Sequence, residues 1–234
     1  MHSTEDFAAQ IERDRLQRES EIRLIENLTR GILNDQHRMM LYRTLVIVLY
    51  SHVEGFCKFC LYIYVSAINK SGISCRQASR SIAAASLRSA FDALRKRDSK
   101  HPVFRNKVPS DDDIHMLWRE REFLAQIEKI FEAKVHINDN IVDTKSNLGP
   151  VVLKRNLYQL GLDFEDVIDH SGALHRLVNT RNAIAHGDIF QCPDLNTVAL
   201  FRTSAFEIMD FVQRAVLSAI KEKKFLVEPI STAQ

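Results

Sequence analysis

Residues 176–188 read RLVNTRNAIAHGD. Apolar residues recur at helical spacing and Gly187 closes the run, so the stretch reads as the carboxy-terminal part of an amphipathic helix. Each residue turns an α-helix by about 100°. With Leu174 at zero, Leu177, Val178, Ile184 and Ala185 fall within about 80° of it. Arg181 falls inside that stripe, about 20° from zero. A second stripe gathers His175, Asn179, Asn182 and His186 at about 80–140°. A guanidinium among apolar residues is costly unless it meets an acid, a phosphate or a partner surface. Arg181 and His186 border one groove from its two sides, with Asn182 between them. They combine a permanent cation with an imidazole, the side chain suited to proton transfer near neutral pH. Histidine can take or give a proton while arginine stabilises charge developing on a phosphate, so the pair suits phosphodiester chemistry. The same spacing also arises where an arginine pairs with a buried glutamate and a histidine only complements the helix dipole.

Composition sets the frame around this helix. The chain has 234 residues, enough to bury a real core, with 45% hydrophobic and 26% charged residues. Seven glycines and five prolines are too few for the frequent turns of a β-rich fold, so long helices are expected. A net charge of +2 implies no nucleic-acid partner by itself, although a local basic patch would. The amino-terminal MHSTEDFAAQIERDR is charged where a signal peptide needs an apolar segment. The expectation is a cytoplasmic protein whose thiols (Cys57, Cys60, Cys75 and Cys192) are reduced. The segment LVIVLYSHVEGFCKFCLYIYV, residues 45–65, carries His52, Glu54 and Lys58, and reads as a buried helix in preference to a membrane span.

Along the chain the pattern predicts a charged amphipathic helix over 3–32, with Phe7, Ile11, Leu16, Ile22, Ile25 and Leu28 on its apolar stripe. A central helix over 36–69 follows, capped by Asn34 or Asp35 and ended at Lys70, Ser71 and Gly72. Further helices are expected at 79–97, at 112–134 behind the acidic Asp111, Asp112 and Asp113, over VVLKRNLYQLGL to Gly161, at 168–186 and at 194–223 after Pro193. The tail KFLVEPISTAQ is expected to add a short extended segment and then fray. The reading is all-α, one domain over 1–234, with 98–150 as a region of insertion and loops.

The string RNAIAHGD, residues 181–188, resembles the signature of the HEPN superfamily, an arginine, then four to six residues usually starting with a polar one, then a histidine. Arg181 stands at the motif arginine, Asn182 at the polar position and His186 at the motif histidine. The approach segment LYQLGLDFEDVIDHSGALHRLVNTRN and YSHVEGFCK (50–58) are similar to these families as well, in particular to stand-alone ribonucleases of prokaryotic conflict systems. The resemblance implies an α-helical bundle that dimerises with motif helices face to face. It implies a metal-independent endoribonuclease, a toxin or antiphage effector, leaving a cyclic phosphate and a 5′-hydroxyl. His186 would then act as acid or base, Arg181 would hold the phosphate and Asn182 would orient the phosphate or His186. No cofactor is implied; an RNA substrate, a second copy and a possible antitoxin or regulatory protein are. The alternative is a catalytically silent HEPN module that binds a protein partner, nucleotide or RNA. A third class, a structural helical adaptor, would make the motif a coincidence. A tyrosine two residues beyond the histidine marks one branch of the superfamily; Asp188 stands there, so regulation by its modification is not supported.

Other residues have two readings each. Glu54, in the most apolar helix, wants a partner: Arg181, which it would align from behind the site, or Arg43, Lys58 or solvent. Asp188 either tunes His186 or solvates the loop. His175 and Arg176 are candidates for contact with RNA. The run Arg95, Lys96, Arg97, Lys100 and Arg105 either faces solvent or guides RNA by phosphate attraction. Cys57-x-x-Cys60 has no second pair and apolar neighbours, which favours core packing over a zinc site. His175 and His186, eleven residues apart with asparagines between, make a poor metal face.

Overall fold

In a computed structural model the chain is all-α, with two isolated antiparallel bridges, Ser74 with Lys134 and Ala78 with Leu226, and no strand among the described residues. The structure describes residues 4–144, 147–165, 167–188 and 193–227, with residues 168–170 described by backbone alone. Cys192 and the end of the tail lie outside them. The helices are α1 (Thr4–Arg30), α2 (Asp35–Ser71), α3 (Arg80–Ser86), α4 (Arg88–Arg95), α5 (Asp112–Glu132), α6 (Pro150–Gln159), α7 (Val167–Ala185) and α8 (Leu195–Lys221), with a 3₁₀ turn at Asp139–Ile141.

Local chemistry sets the boundaries. Asn34 accepts the His37 N–H at 3.0 Å and starts α2. Asp111 and Asp194 cap α5 and α8 by accepting from Ile114 N and Thr197 N. Pro193 thus precedes the cap of the last helix and Asp194 makes it. Gly161 closes α6 at φ 65°, with Leu162 N donating to Leu157 O and Gly161 N to Tyr158 O. The single helix expected over 79–97 is two, broken at Leu87, whose φ −90° and ψ 11° leave the helical region.

The described residues form two compact units, one within 4–67 and 139–223, the other within 68–138 and 224–227. In the first, α1 and α8 pack together, and α7 packs on both α6 and α8. The core helix α8 buries Val198, Phe201, Ala205, Ile208, Met209, Val212, Val216 and Ala219, a stripe of i, i+3, i+4 and i+7 steps. Each large member contributes roughly 1.5–3 kcal/mol by leaving water. From α2, Leu45, Leu49, Tyr50, Val53, Phe56, Cys57, Cys60 and Tyr64 are buried, which fits a central helix. It is the one described helix long and apolar enough to cross a membrane by length and composition, and half of that window is buried inside the protein. The α1 stripe differs from expectation: Phe7, Ile11 and Ile22 are buried, while Leu16 and Leu28 are exposed. Part of the α1–α8 contact is polar instead. Arg15 donates to Asp210 and Gln213 at 3.0 Å, and Arg202 donates to Glu26.

The second unit holds α3, α4 and α5. Its loop over 96–111 is tied down by α5. Arg119 donates to Leu94 O and Ser99 O, and the fully buried His115 accepts the His101 N–H at Nδ1 while its Nε2 lies 3.2 Å from Val108 O.

Candidate functional site

The site is carried by α7, which divides its faces as its sequence requires. Leu174, Leu177, Val178 and Ile184 are buried, whereas His175, Arg176, Asn179, Ala185 and His186 are exposed. Ala185, expected on the apolar stripe, is instead exposed at the helix end. The rest of the stripe packs inside the chain, where α7 meets α6 and α8. The open face is the polar one.

Arg181 is half-buried, and its environment differs from the acid partner considered at the sequence level. The guanidinium lies over the Tyr50 ring, its central carbon 4.5 Å from the ring centroid. This is a cation–π contact from α7 to α2. Its Nη1 donates to Asn182 Oδ1 at 2.9 Å. No ion pair joins Arg181 to Glu54 or to any other described carboxylate. A guanidinium has five N–H donors, and among the described residues Asn182 supplies the one hydrogen-bond acceptor. The single chain therefore already gives Arg181 a platform, the Tyr50 ring. Asn182 orients Arg181, and no hydrogen bond links it to the His186 ring.

Tyr50 is the residue that sequence reasoning missed. Its phenolic oxygen accepts the Leu148 N–H at 2.6 Å and lies 3.5 Å from Asn147 Oδ1. Burial pushes the phenol up to about 12; the Leu148 N–H opposes the rise, the Glu54 carboxylate adds to it and Arg181 opposes it. Glu54 sits one turn along α2 from Tyr50, and so reaches the site through the tyrosine. The stretch YSHVEG held the signal, an aromatic residue four before a glutamate on one helical face, without saying which residue faced α7.

His186 stands where α7 ends. Gly187 adopts φ 87°, its N–H donates to Ile184 O at 3.1 Å, and the Asp188 N–H donates to Ala183 O at 3.0 Å. These bonds make a Schellman cap with His186 as the last half-helical residue. The backbone under the imidazole is thus fixed while the ring is exposed and makes no hydrogen bond to a described residue. Asp188 closes this cap through its backbone. His175 and Arg176 lie on the exposed surface of α7.

Elsewhere, Cys57 and Cys60 are buried free thiols, Cys57 pushed up to about 12 by burial, which fits core packing. Among the described residues no group of three His, Cys, Asp or Glu is placed to hold a metal ion. Of the basic run, Arg95 pairs with Asp92 and Lys100 with Asp112, while Lys96, Arg97 and Arg105 are exposed without an ion pair to a described residue. A cleft of about 490 Å³ between α1 and α8 is lined by Arg23, Arg30, Arg202 and Phe206 among others, and includes none of the motif residues.

An all-α bundle bearing an Arg-Asn-x-x-x-His helix end defines a HEPN-type module. The MAE_28990-like HEPN family model matches residues 7–225, and the chain belongs to that family. No curated protein and no solved structure matches it. HEPN domains are often ribonucleases, and membership fits a ribonuclease-like or nucleotide-binding module.

Proposed function

We propose that the chain is a metal-independent endoribonuclease of the HEPN type, working as a homodimer with Arg181, Asn182 and His186 as its reacting and binding groups. The supporting observation is the Arg181 guanidinium held on the Tyr50 face with one described acceptor, about 7.5 Å along the helix axis from an exposed histidine. A cation so placed keeps N–H donors for a phosphate, which a guanidinium binds in a two-point fork. In the dimer, two polar α7 faces meet around a two-fold axis, so two arginines and two histidines share one cleft. His175 and Arg176 extend contact to the RNA backbone.

In the proposed reaction the RNA 2′-oxygen attacks the adjacent phosphorus. The 2′-O–P bond forms and the P–O5′ bond breaks, giving a cyclic phosphate and a 5′-hydroxyl. One proton leaves the 2′-hydroxyl and one reaches the departing 5′-oxygen; His186 serves as base or acid and Arg181 stabilises the charge on the phosphate. The need for a 2′-hydroxyl restricts the substrate to RNA. A cytoplasmic toxin or antiphage effector, held in check by an antitoxin or regulatory protein, is the biological setting of this reading.

Cleavage of single-stranded RNA in EDTA tests it. His186→Ala should lower the rate by about 10²–10⁴-fold. Undiminished cleavage by the variant would remove His186 from the mechanism. No cleavage by the wild type, with retained binding of nucleotide or RNA, would favour the silent module. Light scattering at micromolar protein should report a dimer, and a monomer that still cleaves would remove the shared cleft.

A further inference from the structure

We propose that Tyr50 is a positioning residue for the motif arginine: its ring face fixes the plane of the Arg181 guanidinium and leaves the N–H edge open to a phosphate. This rests on the ribonuclease reading above and deepens it.

Tyr50 is fully buried on α2, so its ring has no rotational freedom to spare. Its hydroxyl is locked by the Leu148 N–H at 2.6 Å. The loop that supplies this N–H is itself held. Asn156, buried on α6, donates to Asp143 O at 3.0 Å and accepts from Asp143 N at 3.2 Å, and Asn147 N donates to Thr144 O at 2.8 Å. Three parts of the first unit therefore converge on one aromatic ring: α2 carries it, the loop before α6 anchors its oxygen, and α7 lays Arg181 on its face. Asn182 then fixes rotation within the plane by accepting from Nη1.

The choice of partner matters chemically. A carboxylate would also stabilise a half-buried guanidinium, but it would occupy the N–H donors and cancel the charge that a phosphate needs. An aromatic face attracts the cation through its quadrupole and takes none of those donors. Tyr50 thus holds Arg181 as a cation in a defined plane with its fork unspent, a form of preorganisation. Glu54, one turn away, acts on the phenol and forms no ion pair with the guanidinium.

Two substitutions separate the ring from its hydroxyl. Tyr50→Leu removes the face, and Tyr50→Phe keeps it. Binding is read by anisotropy of a fluorescein-labelled single-stranded RNA in EDTA, with all proteins in a His186→Ala background, and kcat and KM are read with His186 intact. Tyr50→Leu should weaken RNA binding and kcat/KM roughly tenfold, and Tyr50→Phe by no more than about threefold. In an Arg181→Ala background Tyr50→Leu should cost nothing further. The Nε–H resonance of Arg181 in ¹⁵N NMR, shielded by the ring, should keep its position in Tyr50→Phe and move downfield in Tyr50→Leu. An unmoved resonance in a folded Tyr50→Leu protein overturns the proposal whether or not RNA is cut. So does a Tyr50→Leu loss that persists undiminished without Arg181, because that signals general damage. If the wild type cleaves no RNA, the ribonuclease reading fails, while the resonance still decides the role of Tyr50.

Discussion

At the scale of single residues, the helix end at 181–188 has two layers. Gly187 is needed by the backbone: φ 87° is a region that L side chains avoid, and no atom lies within 4 Å of where its Cβ would be. Gly187→Ala should therefore cost about 1–2 kcal/mol through conformation alone. Urea unfolding checks this, and an unchanged midpoint would show that the cap relaxes freely. The apparent pattern Ala-His-Gly-Asp is in large part a helix-capping signal, and only His186 within it carries the proposed chemistry. The wheel placed Arg181 correctly among buried neighbours. It did not find Tyr50, because a helical period names a residue's face and not the residue across the interface.

At the scale of elements, every expected helical stretch is helical, with the one over 79–97 split at Leu87, because long apolar periods and capping residues such as Asn34, Asp111 and Asp194 act locally. The errors fall where tertiary packing decides. Leu16 and Leu28 of α1 stay exposed while Arg15 and Glu26 make partly buried contacts to α8, an exchange of polar for apolar contact that periodicity does not encode. Between α1 and α2, Gly55 has the same origin: a Cβ there would lie 2.6 Å from the Arg18 guanidinium. His52 sits beside this arginine, with its Nε2 3.3 Å from Glu21. Burial lowers the His52 pKa first; Glu21 and Asp14 oppose this and Arg18 adds to it. A folded value below the unfolded 6.5 means that the unfolded chain takes up the extra proton. Stability from this group is complete above about 6.5 and declines as pH falls below it. His52→Gln should flatten the pH dependence of unfolding between about pH 7 and 5, and parallel wild-type and variant curves would exclude this origin.

At the scale of the whole molecule, all-α architecture and family membership were legible from glycine and proline scarcity and from one motif helix. The two-unit division was not. Residues 68–138 form a unit of their own, with residues 224–227 alongside them in the described chain, and nothing in local pattern announces where contacts cease. That unit presents Lys96, Arg97 and Arg105 on a loop held by His115 and Arg119. If these cations meet RNA phosphates, charge reversal at all three lowers the slope of log affinity against log salt by about 2, from roughly 0.7 per contact on single strands. An unchanged slope in the triple variant would leave the loop to solvent.

The cap on α7 also makes the interval between Arg181 and His186 a ruler. One residue added between them would turn the imidazole by about 100° and shift it about 1.5 Å along the axis. Ile184, buried between them, pins the register of the segment to the core. The exposed Ala185 and the half-buried Ala183 can therefore change identity far more readily than the stretch can change length. In this segment, counting conveys more than composition.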